Sequence, residues 1–460
     1  MNGSLRKPVS GMRVVISVSL AGCAAWALAC SGASGGPDDA SILADAAGDV
    51  DVLATDSTET TEPREVAQTT ETAGACGGST QTFTATGTDQ SAIVADGTAK
   101  TLANVTITSD SVTSSADNSS FVGLNAAVLA KNGGTMTISC ATVTTTGAGA
   151  NGVFATGAGS KITLSGSFIQ CSGDGGHGVD ATNTAILDIQ DVDIVTSGAH
   201  GAAIATDRGG GTITATRGTV TTSGTDSPGI YSTGTITVTG AAITSTGAEA
   251  AVIEGANSIT LTNTDLSAAK GTRDRGLMIY QSTSGDAVGT RGTFTMTGGS
   301  FAWTSATGPL FYVTNSTGVI TLKDATIDSA SGTLIRAGSD QWGTSGSNGG
   351  TVDFTADGET LTGDVVLDSL SSVTAVLQNA TTLTGAFNTA GTAKSAALTL
   401  DATSTWVLTA DAVVTTLTDA DATFANITGN GHSVCYKTGV NGSASATHAL
   451  SGGGQVKPCG

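Results

Sequence analysis

Aliphatic residues recur about every 25 positions along most of this chain, each time inside a short run in which apolar and polar residues alternate. The unit around Val153 has three such runs, and the unit around Val179 repeats them in the same order. Alternation over four to eight residues is typical of a β-strand with one buried face. The anchors of the first run are Val128, Val153, Val179, Ala203, Ile230, Val252, Leu277, Leu310 and Leu334.

A unit of three short strands cannot bury its apolar face alone, so neighbouring units must stack. Stacking places each run in a parallel sheet, with like side chains over one another inside. The repeat length predicts an all-β, right-handed parallel β-helix with capped ends. A hexapeptide helix would repeat about every six residues, and a propeller blade about every 40. We place the β-helix at 76–440 and a C-terminal cap at 441–460.

The strand Trp406-Val407-Leu408-Thr409, followed by a strand containing Leu417, resembles the last coils of pertactin-type autotransporter passengers. More generally, the repeats over 120–440 resemble pectate-lyase-like β-helices. The resemblance implies a right-handed β-helix with an adhesin-like role at a cell surface. Because no outer-membrane barrel follows these coils, we expect a lipid to replace the barrel as the anchor.

The first 30 residues have the layout of an export signal. A basic start precedes the uncharged, mostly apolar run Val14–Ala29, which is short for a membrane span. The small residues before Cys30 resemble the bacterial lipoprotein signal, in which the cysteine is lipidated. Leu20-Ala21-Gly22-Cys23 is the alternative lipidation site, and a plain secretory signal is a third interpretation. We expect an exported lipoprotein at the outer membrane or cell surface.

Residues 31–75 carry ten carboxylates against Arg64 and have no aromatic residue. Such a segment cannot bury enough apolar area to offset the entropy lost on ordering, which predicts a disordered acidic tether. The net charge of the whole chain is −20, which argues against nucleic-acid binding because phosphate attraction requires a basic surface. The expected partners are the membrane, through the lipid, and a glycan or surface protein, and we expect a monomer.

Five cysteines follow the signal, and exported proteins readily form disulfides. Cys435 and Cys459 flank the C-terminal end and are the predicted pair there. Cys140 and Cys171 lie at different points of adjacent repeats, so a bond between them and a bond from Cys76 to either are both open. No Cys-x-x-Cys or His-x-x-x-His spacing favours a metal, and we expect neither metal nor cofactor.

The position between the inward-pointing residues of the first run should point outward. It is apolar in most repeats, which makes it a candidate docking stripe for glycan or protein. Alternatively, a loop covers it, or some repeats shift register by one residue and reverse the face. The positions are Leu129, Phe154, Asp180, Ile204, Tyr231, Ile253, Met278 and Phe311.

The outward position of the second run is threonine in every repeat of the series except one. This ladder resembles the Thr-x-Thr faces of ice-binding solenoids, although threonine also favours exposed strands in general. The positions are Thr137, Thr163, Asp188, Thr214, Thr237, Thr260, Thr295 and Thr321.

The Gly-His-Gly element around His177 resembles that of polygalacturonase-type hydrolases, and Asp174 and Asp180 would complete a catalytic cluster in that interpretation. The family's Asn-Thr-Asp, Asp-Asp and Arg-x-Lys elements are missing from neighbouring repeats. A turn position explains His177 equally, because Ala199-His200-Gly201 occupies the corresponding turn one repeat later. We therefore predict a non-enzymatic surface or envelope protein without catalytic residues. A carbohydrate-active β-helix enzyme, either a polysaccharide lyase or a glycoside hydrolase, is the alternative.

Overall fold

The computed structural model describes residues 76–77, 81–269 and 271–460. The predicted signal peptide at 1–30, with both lipidation candidates Cys23 and Cys30, and the predicted tether at 31–75 lie outside these residues. The described chain is a parallel β-solenoid of about 15 turns, with coils about 25 residues apart. The stacking of repeats predicted from the sequence is therefore confirmed.

Short strands and one seven-residue helix, α1 (Ala116–Val122), make up the described coils. The strands of the N-terminal half are β1 (Gln81–Ala85), β2 (Ile93–Asp96), β3 (Ala99–Ser109), β4 (Val128–Lys131), β5 (Thr135–Thr145), β6 (Val153–Thr156), β7 (Lys161–Cys171), β8 (Val179–Thr182), β9 (Ile186–Thr196), β10 (Ile204–Thr206), β11 (Thr212–Thr216), β12 (Thr219–Thr222), β13 (Ile230–Ser232), β14 (Thr235–Thr239), β15 (Ala242–Ser245), β16 (Ala251–Glu254) and β17 (Ser258–Ala268). The strands that follow are β18 (Leu277–Tyr280), β19 (Arg291–Trp303), β20 (Phe311–Thr314), β21 (Thr317–Lys323), β22 (Thr326–Ser329), β23 (Thr333–Ala337), β24 (Thr351–Asp357), β25 (Thr360–Thr362), β26 (Asp364–Leu367), β27 (Ser372–Gln378), β28 (Thr382–Thr384), β29 (Ser395–Leu400), β30 (Thr405–Val407), β31 (Ala412–Asp419), β32 (Ile427–Thr428), β33 (Val434–Val440), β34 (His448–Ala449) and β35 (Gln455–Pro458).

These strands form three sheets that run from coil to coil. Sheet A has 20 strands, from β1 to β35, and contains both the second and the third runs in the first coils. Sheet B has 11 strands, β2-β4-β6-β8-β10-β13-β16-β18-β20-β23-β26, and contains the first run. Sheet C has four strands, β25-β28-β30-β32. Among the described strand pairs, β34 with β35 is antiparallel and the rest are parallel.

The core lies between the sheets and consists of columns of stacked aliphatic side chains. Val153 pairs in register with Val179, and Val179 pairs with Ile204, and all three are buried. On sheet A, Ile213 pairs with Ile236, again in register and without solvent exposure. Burying such a side chain contributes about 1.5–3 kcal/mol, so the repeated columns are the main stabilising feature of the solenoid.

In four coils, the sheet B residue that pairs with the inward-facing residues of the neighbouring coils lies one sequence position from the predicted anchor. The strands there carry consecutive apolar residues, so alternation alone does not define which side chain faces inward. A shift of one residue exchanges the two faces of a strand. The inward positions are taken by Ile204, Ala251, Phe311 and Ile335 instead of Ala203, Val252, Leu310 and Leu334.

A corner with left-handed backbone separates the second and third runs of each coil. The angle φ is 54° at Asn104, 53° at Asp191 and 47° at Asn263. Asparagine, aspartate and glycine tolerate this conformation better than other residues, which explains why they recur there. Cys140 occupies the same corner with φ 53°.

Two disulfides connect the described cysteines. Cys435 bonds to Cys459, and Cys76 bonds to Cys140. Cys171 is free and buried, and its thiol donates a hydrogen bond to the carbonyl of His177 at 3.3 Å. Burial raises the pKa of this thiol to about 11, so Cys171 is a packing residue rather than a reactive one.

Candidate functional site

The outer face of sheet B is covered from β4 to β20, and most of the docking stripe predicted there is buried. Leu129, Phe154 and Met278 occupy outward positions but are only 5%, 0% and 2% exposed. Phe311 faces the core instead, and Tyr312 takes its outward place opposite Met278. The prediction of an exposed stripe is wrong because segments outside the coils pack over it.

The first covering segment is α1, which begins after the capping residue Ser115 and ends at Gly123. The Cα of Gly123 packs so closely on the Phe154 ring that an added Cβ would lie 2.6 Å from it. The carbonyl of Phe121 accepts hydrogen bonds from Thr182 Oγ1 at 2.8 Å and from Asn183 Nδ2 at 3.1 Å. These contacts hold α1 over the first part of the stripe.

The second covering segment is the 281–290 loop, which corresponds to the longest step between predicted anchors. Ser282 Oγ donates a hydrogen bond to the carboxylate of Glu254. Glu254 Oε2 also accepts from the hydroxyls of Tyr231 and Tyr280, at 2.5 and 2.8 Å. Tyr231, a predicted member of the stripe, is half-buried and polar at its tip. The loop therefore seals a polar centre rather than an apolar one.

The third covering segment, 338–350, is held by a buried arginine. Arg275 Nε donates to Glu249 at 3.0 Å, and Arg275 Nη1 donates to Asp340 at 3.4 Å. The Asp340 carboxylate also accepts from the Tyr312 hydroxyl at 3.0 Å. Trp342 packs on the Tyr280 ring with centroids 4.9 Å apart.

Four carboxyl groups are enclosed under α1 and the 281–290 loop. Asp180, Asp207, Glu254 and Asp286 are 0%, 1%, 1% and 4% exposed, and neither carboxylate oxygen of Asp180 has a hydrogen-bond partner. Burial and the charge of Asp207 raise the pKa of Asp180 well above its usual range. Burial and the charge of Asp286 likewise raise the pKa of Asp207. The protonated form of both acids is therefore favoured.

The structure does not assemble the hydrolase-like cluster that the sequence suggested. Asp174 is exposed and accepts a hydrogen bond from the backbone of Ala199 at 2.9 Å. His177 is buried, burial lowers its pKa to about 4, and its Nδ1 has no partner among the described residues. No hydrogen bond or ion pair in the described chain joins Asp174, His177 and Asp180.

The outer face of sheet A carries an uncharged array over four consecutive coils. Twelve hydroxyl side chains form three columns, and every one is exposed or half-buried. Neighbours are about 4.8 Å apart between coils and about 7 Å apart along a strand. We call this array the threonine face, and its columns are Thr212, Thr235, Ser258 and Thr293; Thr214, Thr237, Thr260 and Thr295; and Thr216, Thr239, Thr262 and Thr297.

Charged groups lie beside the threonine face. Lys161 Nζ lies 2.5 Å from Asp188, the residue that interrupts the predicted ladder. In the coil that follows the array, Val319, Thr321 and Lys323 continue the three columns. Arg291, on β19, reaches across this coil, and its Nη1 lies 3.0 Å from Asp353 on β24. The central column was predicted from the sequence and the two beside it were not, although Thr-x-Thr-x-Thr occurs at 212–216 and 235–239.

A groove follows the first column of the threonine face across the coils. Its lining consists of hydroxyls, one amide, one alanine methyl and glycine backbone, and none of the lining side chains is ionisable. A Cβ on Gly211 would lie 2.3 Å from Ala181 O, and one on Gly234 would lie 2.4 Å from Gly211 O, so glycine is required there. The lining residues are Thr184, Gly209, Gly210, Gly211, Thr212, Gly234, Thr235, Ala256, Asn257, Ser258 and Thr293.

No known protein family matches the chain, and a comparison with curated proteins finds no match. Within the described residues, no three His, Cys, Asp or Glu side chains are grouped so that they could hold a metal ion. No helix in the described part has the length and apolar character needed to cross a membrane.

Proposed function

We propose that this protein is a non-enzymatic cell-surface or envelope β-helix that binds an extended, neutral glycan along the threonine face. The observation that supports this proposal is the array of twelve hydroxyl side chains beside a glycine-floored groove. Each hydroxyl donates and accepts hydrogen bonds, as sugar hydroxyls do, and each threonine methyl offers an apolar contact to a sugar ring.

The repetition of the array favours a polymer over a single small molecule. Successive coils offer nearly the same groups along the groove, so a chain of sugar units makes several weak contacts at once, and their effects combine. The lining carries no cation that would pair with an acidic sugar. The net charge of −20 also disfavours acidic polysaccharides.

Attachment to the cell envelope is part of the same proposal. We place the lipid on Cys30, with Cys23 as the alternative, and the acidic segment 31–75 as the spacer between membrane and coils. Radioactive fatty-acid labelling of cells tests this assignment. We expect label to be lost in Cys30→Ala and retained in Cys23→Ala, and label in neither the wild type nor the variants would contradict a lipid anchor.

Binding is tested by affinity electrophoresis against neutral and acidic polysaccharides. We expect retention by at least one neutral glycan, weakened at least about tenfold by Thr237→Glu together with Thr260→Glu, because the carboxylates replace hydroxyl partners in the central column. Thr142→Glu is the matched control, since Thr142 is an exposed threonine of β5 outside the threonine face. Equal binding by both variants, or no retention by any neutral glycan, would contradict the proposal.

The enclosed acids favour a second candidate function, a carbohydrate-active enzyme. A carboxyl group with a raised pKa, such as that of Asp180 or Asp207, has the property that a general acid needs. Incubation with the same polysaccharides distinguishes the candidates. New reducing or unsaturated ends that disappear in Asp180→Asn would replace the binding proposal with this one, whereas retention without turnover favours binding.

A further inference from the structure

We propose that Arg208 forms a clasp that closes α1 and the 281–290 loop over the enclosed carboxyl groups, and that this clasp opens as the pH rises. The inference is independent of the glycan proposal, because it concerns sheet B and not the threonine face. It rests on the geometry of one side chain that contacts both covering segments.

Arg208 follows β10 and reaches in two directions. Its guanidinium carbon lies 3.8 Å from the centre of the Phe121 ring on α1. Its Nη2 and Nε donate to Asp286 Oδ1 in the 281–290 loop, at 2.7 and 3.2 Å. The Arg208 side chain is 48% exposed, whereas the Asp286 side chain is fully buried. Arg208 thus lies at the surface and joins the two segments above the carboxyl groups.

The charged groups around Asp180 and Asp207 are mostly acidic. Asp180 lies on β8 and is within electrostatic reach of Asp207, which follows β10. Asp207 is in turn within reach of Glu254 on β16 and of Asp286 in the 281–290 loop. Arg208 is the cation that acts on Asp207. Tyr231 on β13, Tyr280 on β18, and Ser282 and Ser284 in the loop bring hydroxyl groups to this centre, and the charge of Glu249, just before β16, also acts on Tyr280.

Proton loss from Asp180 or Asp207 would add negative charge beside Asp286 and Glu254, in a space closed to water. Opening the clasp admits water and separates Asp286 from the sheet, which restores ordinary acidity to both groups. The closed form therefore holds protons that the open form releases. Between the ordinary and the raised pKa, the open population increases about tenfold per pH unit for one such proton and about a hundredfold for two.

Opening would also uncover the part of the predicted apolar stripe that lies under α1. Leu129 and Phe154 form a small cluster there, outside the main core, whereas Met278 belongs to a second cluster against which Tyr231 and Trp342 pack. These side chains are buried by the covering segments rather than by the coils. The clasp thereby controls access to an apolar surface on sheet B.

Hydrogen-exchange protection factors from pH 5 to 9 test the clasp, since they remove the intrinsic pH dependence of exchange. We expect protection in 116–123 and 281–290 to fall as the pH rises, by up to about tenfold per pH unit for each proton released, while β7 in the core stays protected. Asp180→Asn or Asp207→Asn should each remove the contribution of one proton to the pH dependence of protection, and the double variant should abolish that pH dependence. Arg208→Gln should reduce protection of both segments at every pH.

The exposed Asp110 supplies the matched control, and Asp110→Asn should leave the slope unchanged. The proposal is overturned if the Asp180 and Asp207 variants keep the wild-type slope. It is equally overturned if protection in β7 falls in parallel with that of the loop, because the event is then global unfolding.

Discussion

A Cβ on Gly198 would lie 2.1 Å from the carbonyl oxygen of Gly173, which occupies the corresponding turn one coil earlier. The same relationship joins Gly224 to Gly198 at 1.9 Å and Gly247 to Gly224 at 2.1 Å. The backbone of each turn thus rests directly on the turn before it. Glycine is required in this column because any side chain would force the coils apart.

Replacing Gly198 by alanine should therefore destabilise the solenoid by about 1–3 kcal/mol, the usual cost of forcing atoms into a packed site. Gly338→Ala is the control, since its added Cβ would lie 3.6 Å from the nearest atom, on Asp368. Denaturant unfolding of the two variants measures the difference. Equal stability would show that the turns do not pack as closely as described.

The buried ion pair between Arg275 and Glu249 gives a second prediction. Arg275→Ala removes the cation that is bonded to the buried Glu249 carboxylate, so we expect a loss of about 3–5 kcal/mol in unfolding free energy. Arg291→Ala removes the exposed pair with Asp353, and we expect at most about 1 kcal/mol. Similar losses in both variants would mean that Arg275 is hydrated and that the 338–350 segment does not enclose it.

His177 should make the fold sensitive to acid. Burial lowers its pKa to about 4, so below its ordinary value of about 6.5 the unfolded chain binds a proton that the folded chain does not. Stability is therefore lost as the pH falls from about 6.5 to 4, by about 3 kcal/mol from this residue.

The measurement is the pH dependence of unfolding free energy in His177→Gln and wild type. The variant should lose less stability between pH 6.5 and 4. His200→Asn, at an exposed histidine with φ 58°, serves as control because asparagine accepts that backbone conformation. If His177→Gln and wild type lost the same unfolding free energy between pH 6.5 and 4, His177 would not be a buried neutral imidazole.

The C-terminal disulfide should stabilise the last coils. Cys435 and Cys459 are 24 residues apart, and closing a loop of that length stabilises a protein by about 3 kcal/mol in the chain-entropy account. Replacing both by serine should lower the unfolding free energy by about this amount. Reduction of the wild type should produce a similar loss, and the variant should respond less to reductant. A variant as stable as the wild type would contradict this role.

The sequence predicts the solenoid well because its inner face is periodic. A small residue stands two positions after each of Val153, Val179 and Ile230, and the structure places these three anchors in one register. The prediction loses register at Ala203-Ile204 and Leu310-Phe311, where neighbouring apolar residues satisfy either face. Two-residue periodicity cannot decide between them.

The candidate sites are less predictable, because covering segments depend on contacts distant in sequence. Nothing near Phe154 indicates that α1 packs on it, or that Arg208 bonds to Asp286, 78 residues later. The threonine face is predictable from the sequence, since its columns follow directly from the repeat. The enclosed acids are not predictable in this way, because Asp207 and Glu254 resemble ordinary residues at strand ends.

In-register stacking underlies the core columns, the glycine turns and the threonine face, and disulfide trapping tests it most directly. Thr237 pairs with Thr260 in the next coil, so their Cα atoms should be about 4.8 Å apart, whereas the Cα of Thr262 should be about 8 Å from that of Thr237. Cysteines at 237 and 260 should form a disulfide under mild oxidation, detected by peptide mass spectrometry, and cysteines at 237 and 262 should not. Equal crosslinking of both pairs, or crosslinking of the second alone, would contradict the register on which the account depends.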